Sequence, residues 1–288
     1  MQLTSTTPTP ATRITQAFEQ ARRESRGVLI PYFMCGYPSV AQSIKLALAA
    51  IQVGADIIEL GMPFSDPLAD GATIQHAGQA ALEGGMTIQS CLEIACQISA
   101  RSDAPLILMG YYNPILVYGI EQFCQRAVAS GVCGLIIPDL PPEEAEPLQQ
   151  ATLQHGLSLI FLIPPTIPGE RITHIAKMAT SGHGSFIYCV ALNGVTGART
   201  TLPSDLRDFI QRVYDYTKSF RLPLAVGFGI STPEHVAELT GYVDGVVVGS
   251  ALIKHIDGHG EEEQVEVVKR YILSLHQACS RKERKEAS

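Results

Sequence analysis

"IIELGMPFSDPLADG" (residues 57–71) starts as a buried strand and ends as a loop crowded with carboxylates. Ile57 and Ile58 are followed by Glu59, and Asp66 and Asp70 come soon after, in a segment broken by Pro63, Pro67 and two glycines. Strand periodicity puts Ile57 and Glu59 on one face and Ile58 and Leu60 on the other. The question is what kind of fold lets an apolar run stop on an acid.

Seven other runs share the character of this one, which as a strand covers "DIIELG" (56–61). They are "VLIPYFM" (28–34), "LILMGY" (106–111), "GLIIPD" (134–139), "SLIFLI" (158–163), "SFIYCVA" (185–191), "LPLAVGFG" (222–229) and "GVVVGS" (245–250). Nearly continuous apolar runs mark strands buried on both faces, which parallel sheets require. Between them apolar residues recur at helical spacing: Val40, Ile44, Leu48 and Ile51; Ile120, Cys124 and Val128; Val265, Val268, Ile272 and Leu275. "STPEHVAEL" and "LPSDLRDFI" carry helix start signals, and "QVGAD", "ASGVCG" and "QHGLS" carry glycine stops.

Eight strand-helix units in about 230 residues predict a single-domain (β/α)8 TIM barrel. "ATRITQAFEQARRES" is expected as an extra N-terminal helix closing the bottom. The divisions expected are a flexible arm over 1–11, the barrel over 12–276 and a polar tail over 277–288. An open doubly wound sheet is disfavoured, because no G-x-G-x-x-G follows the first strand.

With 288 residues and 46% apolar content, the chain can bury a large core without metal or disulfide staples. A net charge of -7 argues against a nucleic-acid partner, which would need clustered Lys and Arg. The seven cysteines include no C-x-x-C pair, and an odd number of thiols in mostly apolar contexts reads as reduced. A cytoplasmic location is expected, with a plastid stroma fitting almost as well. No apolar run approaches the ~18 residues of a membrane helix. The opening "MQLTSTTPTPATR" lacks the apolar core of a secretory signal.

In a barrel the chemistry lies where the strands end. Glu59 is such a residue, and apolar walls around it should raise its pKa toward neutrality and suit it to acid/base work. Asp66 and Asp70 both sit in turn-forming surroundings, and nothing in the residues alone says which works with Glu59. Glycines gather at three consecutive strand ends, in "NGVTGA", "GFGIS" and "GSALIK". Exposed backbone N–H groups beside a helix N-terminus make a phosphate cradle without basic side chains. The dispersed histidines show no ligand spacing, so no metal is expected.

The strings "IELGMPFSDPLADGATIQ", "MGYYNPIL", "IIPDLPPEEA", "NGVTGAR", "GFGIS" and "VVGSALIK" occur in one order and spacing. From about residue 12 to 276 the sequence closely resembles the tryptophan synthase alpha chain family. The resemblance implies retro-aldol cleavage of indole-3-glycerol phosphate to indole and glyceraldehyde 3-phosphate. It implies Glu59 as general acid/base, Asp70 as acceptor of the indole N–H, and Tyr188 as the tyrosine that positions substrate and glutamate. Thr196 matches the loop threonine that orients the aspartate. Tyr32 and Phe228 would flank the indole, with Ile74 and Met109 nearby, and phosphate contacts carry over to Gly197, Gly229, Gly249 and Ser250.

Tyr32 departs from the Phe of some members, and Leu192 and Asn193 also differ from the family pattern. The family works beside a beta chain carrying pyridoxal phosphate, in an alpha2beta2 assembly, and no cofactor is expected in this chain. Asp66, Pro67, Asn113, Pro114, Asp139 and Pro141 are the contact residues that the resemblance suggests, in loops. A stand-alone lyase releasing free indole, or another phosphate-binding barrel enzyme of the pathway, is the alternative. A synthase of the preceding step would place a catalytic Lys at a strand end, and none stands there.

Overall fold

The computed structural model of the chain describes residues 9–191, 204–227 and 229–280. Its strands are all parallel: β1 (Val28–Met34), β2 (Ile58–Gly61), β3 (Leu106–Met109), β4 (Val132–Ile136), β5 (Ser158–Ile160), β6 (Leu162–Ile163), β7 (Ile187–Val190), β8 (Leu224–Gly227) and β9 (Gly245–Val248). Their order is β5-β4-β3-β2-β1-β9-β8-β7-β6. The two outer segments of that order, β5 and β6, are separated in the chain by Phe161 alone. The Phe161 carbonyl accepts the Tyr188 N–H at 3.1 Å and carries the pairing across the gap. The sheet therefore closes on itself as an eight-stranded barrel, with the fifth strand in two pieces.

Several boundaries differ from the sequence reading. The fourth strand begins at Val132 rather than 134 and stops at Ile136, before Pro138, which has no N–H to give to a ladder. The seventh run pairs as β8 over 224–227, flanked on its N-terminal side by Pro223. Asn113 and Pro114, expected in a loop, stand in the first turn of α5 (Tyr112–Tyr118), where a missing N–H costs nothing. The segment after Asp70 also forms a helix, α3 (Ala72–Glu83), that no apolar stripe announces.

The remaining helices are α1 (Thr12–Arg23), α2 (Val40–Gln52), α4 (Ile88–Ser99), α6 (Ile120–Ala129), α7 (Glu146–His155), α8 (Gly169–Thr180), α9 (Ser204–Thr217), α10 (Pro233–Leu239), α11 (Ser250–Asp257) and α12 (Glu261–Ala278). The glycine stop in "QHGLS" works as read: Gly156 takes φ 71 and ψ 23 after α7, a left-handed conformation that favours glycine. The start in "STPEHVAEL" works too, since the Thr232 side chain accepts the His235 N–H at the head of α10.

At the lower end α1 buries Ile14, Phe18 and Ala21, and Phe18 meets Phe186 with ring centroids 5.4 Å apart. The Ala11 N–H donates to the Gly156 carbonyl at 3.1 Å, tying the start of the helix to the barrel. All residues of β1, β2, β3 and β4 are buried, as strands covered on both faces must be.

Candidate active site

Strand β2 delivers Glu59 to the upper part of the barrel. The carboxyl is 1% exposed, and its Oε2 has no hydrogen-bond partner among the described residues. Burial pushes its pKa from the ordinary 4.5 up to about 8, and the charge of Asp70 adds to the rise.

Asp70 closes the turn that follows, its N–H donating to the Pro67 carbonyl at 3.1 Å. Burial raises its pKa to about 6, against a lowering by the hydrogen bond from the Tyr111 hydroxyl. Two carboxyls in different surroundings thus titrate apart, the deeper one holding its proton at neutral pH. Asp66 is exposed and bonds the Ser65 hydroxyl, so the two loop aspartates that sequence could not separate face different media.

Tyr111 is the residue that sequence reasoning missed. It stands two residues beyond β3, 5% exposed, and its hydroxyl accepts the Ala69 N–H at 2.9 Å while bonding Asp70. Its ring lies 5.2 Å from that of Phe64. The doubled tyrosine in "MGYYNPIL" was the available signal.

Tyr32 on β1 and Tyr188 on β7 are buried, and both feel the charges of Glu59 and Asp70. Burial first, then those charges, push both hydroxyls well above the usual tyrosine range. Each hydroxyl rests on a glycine of the next strand. A Cβ on Gly61 would fall 1.9 Å from the Tyr32 oxygen, and one on Gly227 would fall 2.1 Å from that of Tyr188. In the register Tyr32 is beside Glu59 and Tyr188 beside Ala225, so the seat is in both cases two residues further along.

Gly249, at the start of α11, faces the same space: a Cβ there would meet Tyr32 Cβ at 3.5 Å and Ile74 Cδ1 at 3.8 Å. Ile74 comes from the first turn of α3 and is half-buried. Ser250 is the first residue of α11, and Gly229, with φ 78, follows β8. Gly229 and Ser250 thus follow two neighbouring strands, and glycine-rich strand ends beside a helix N-terminus are the kind of place where anions bind. Met109, at the end of β3, lines a cavity of about 560 Å³ together with Ala69, Pro141, Leu162, Ile167 and Ala191. Thr196, Gly197 and Phe228 lie outside the described residues, as do Leu192 and Asn193.

Asp139 accepts the Tyr112 N–H through both carboxylate oxygens, at 3.0 and 3.2 Å, and so caps α5 from the next strand's loop. Pro67, Pro114 and Pro141 are half-buried, and Asn113 is exposed. Among the described residues no group of three or more His, Cys, Asp or Glu could hold a metal ion. No helix among them is long and apolar enough to cross a membrane.

Residues 18–281 match the family model for the tryptophan synthase alpha chain. A tryptophan synthase alpha chain of Chloroflexus aggregans is 48% identical over 270 residues, covering 93% of this chain and 98% of that one. One of a Roseiflexus species is 48% identical over 264 residues, covering 91% and 98%. The solved alpha chain of Legionella pneumophila superposes with a TM-score of 0.83 at 35% identity, over 93% of this chain and 97% of that one. A Mycobacterium tuberculosis tryptophan synthase structure gives 0.84 at 33%, over 94% and 99%. The family model runs from within α1 to past the end of α12, the relatives cover more than nine tenths of the chain, and the chain belongs to the tryptophan synthase alpha chain family.

Proposed function

We propose that Glu59 and Asp70 divide the work of cleaving indole-3-glycerol phosphate, the carbon-carbon lyase reaction of the family. The observation that carries this is the pair of neighbouring carboxyls at the barrel mouth, one at about 8 and the other at about 6. Protonated Glu59 gives its proton to C3 of the indole ring, and positive charge develops on the ring nitrogen. Asp70, ionised and held by the Tyr111 hydroxyl, accepts the ring N–H and stabilises that charge where it matters most, in the transition state. The Glu59 carboxylate then takes the proton of the glycerol hydroxyl. Its O–H electron pair becomes the carbonyl of glyceraldehyde 3-phosphate, and the pair of the breaking carbon-carbon bond returns to the ring. Neutral indole leaves and Glu59 is protonated again.

Tyr188, seated on Gly227 and within the field of both acids, orients the glutamate and the substrate. Tyr32, Ile74 and Met109 wall the ring. Gly229, Gly249 and Ser250 hold the phosphate through backbone N–H groups. Purified protein given indole-3-glycerol phosphate should release indole and glyceraldehyde 3-phosphate in equal amounts; absence of both products, with or without a beta chain, would overturn the assignment.

A beta chain is the proposed partner, docked on the upper rim. Leu68 is 93% exposed and Val117 is 82% exposed, next to Asp66 and Pro67 in one case and Asn113 and Pro114 in the other. Leu68 stands in the loop after β2 and Val117 on α5, and such exposed apolar side chains suit a protein contact. Pyridoxal phosphate is assigned to that partner, since none of the described residues lining the cavity is a lysine that could form a Schiff base. A cytoplasmic site of action is proposed with it. Adding purified beta chain should raise the cleavage rate, and Leu68→Asp should abolish the rise while leaving the unassisted rate in place.

A further inference from the structure

We propose that Tyr271, on the outer helix α12, is a positioning residue for the phosphate cradle. It acts by holding the loop after β8 in register with the start of α11. The proposal rests on the reading of Gly229, Gly249 and Ser250 as phosphate contacts.

The Tyr271 hydroxyl donates to the Ser231 carbonyl at 2.9 Å across 40 residues of sequence. Ser231 lies two residues after Gly229 and one before Thr232, whose side chain caps α10. The loop from Gly229 to Thr232 is therefore pinned at its C-terminal end twice, by the cap and by the tyrosine. Gly229 takes φ 78, a conformation open to glycine above all, so that its peptide has freedom that the pinning removes.

The same ring reaches the other half of the cradle. His255 of α11 packs on Tyr271 with centroids 4.1 Å apart. Helix α11 begins at Ser250, so the residue that fixes the loop also braces the helix whose N-terminus faces the phosphate. Tyr271 is 8% exposed, and α12 packs against both α10 and α11. Neutral N–H donors cannot be strengthened by a change of charge. Their worth depends on converging on one point, and a misplacement of one strand end relative to the other weakens all of them together.

Tyr271→Phe keeps the ring against His255 and removes the hydroxyl alone. Glycerol 3-phosphate and indole serve as separate probes in calorimetric titrations of the full chain, beside steady-state cleavage kinetics. Glycerol 3-phosphate binding should weaken about fivefold, the scale of one hydrogen bond. KM for indole-3-glycerol phosphate should rise by a similar factor, with a much smaller change in kcat, and indole binding should stay within twofold of wild type. A variant that binds glycerol 3-phosphate as wild type does would overturn the proposal. Equal weakening of both probes would also overturn it, since a structural role would loosen the whole site. Failure of the wild-type chain to bind glycerol 3-phosphate would instead remove the phosphate reading itself, and the proposal with it.

Discussion

On the β2–β3 side of the barrel mouth the groups proposed to work are side chains, Glu59, Asp70 and Tyr111. On the β8–β9 side the proposed contacts are the backbone groups of Gly229, Gly249 and Ser250. The first side is tuned by burial: desolvation moves Glu59 to about 8 and Asp70 to about 6. The second cannot be tuned in that way, because peptide N–H groups do not titrate, and it depends on position. Changes on the first side should therefore act on chemistry and changes on the second on binding, and this separation can be tested from both ends.

Glu59→Gln should cause the largest loss, a fall in kcat of about 10³-fold or more, as expected for removal of an acid/base group. Glycerol 3-phosphate binding, measured by titration, should be unaffected. Asp70→Asn should lower kcat by about 10²-fold through loss of a fixed anion near the developing charge. If either variant also lost glycerol 3-phosphate binding, the two sides would not be separable. Asp66→Asn, on the exposed acid, should leave unassisted cleavage intact.

The pH profile sharpens the same contrast. The proposed cleavage needs Glu59 protonated and Asp70 ionised, so kcat/KM should be bell-shaped, with limbs near pH 6 and pH 8 and tenfold losses per unit beyond them. Glycerol 3-phosphate affinity should lack the upper limb.

Stability carries the signature of Glu59 as well. The folded chain keeps this proton to about pH 8, whereas the unfolded chain releases it near 4.5. The stability it contributes is therefore fully present below about pH 4.5 and is lost as the pH rises toward 8. Urea unfolding should show Glu59→Gln overtaking wild type in stability across that window; a parallel pair of curves would place the shift elsewhere.

The smallest effect concerns a seat. Gly61→Ala puts a methyl 1.9 Å from the Tyr32 hydroxyl and should destabilise by about 1–3 kcal/mol. Gly71→Ala, with nothing within 4 Å of its Cβ, should cost less than about 1 kcal/mol in the same measurement.

Much of the barrel was legible because its strands are buried on both faces and so read as apolar runs without alternation. The fourth strand differs at its ends: Val132 already pairs with Leu106, with Cys133 at a break in register before Gly134 pairs with Ile107, and Pro138 cannot extend the ladder. Helix α3 escaped notice because only Ala77, Gly78 and Ala81 are buried along it, small residues that leave no stripe. In the site, Glu59 was readable from one strand's own pattern, an acid where apolar residues should continue. Asp70 was not, since its difference from Asp66 lies in what covers it. Tyr111 was missed for the same reason: the N–H it receives comes from Ala69, 42 residues earlier in the chain. Pairings across elements are written in no single stretch. Family resemblance separated the two aspartates where spacing could not.

Helix α1 makes the barrel a vessel with a stopper. Ile14 and Phe18 sit against the lower end, with Ile14 Cδ1 3.1 Å from where a Gly134 side chain would begin. On the proposed reading, molecular traffic then runs through the rim, where Leu68 is exposed, for substrate entering and for indole departing alike. A partner seated on that rim would stand in the path of the departing product and receive it before bulk water does.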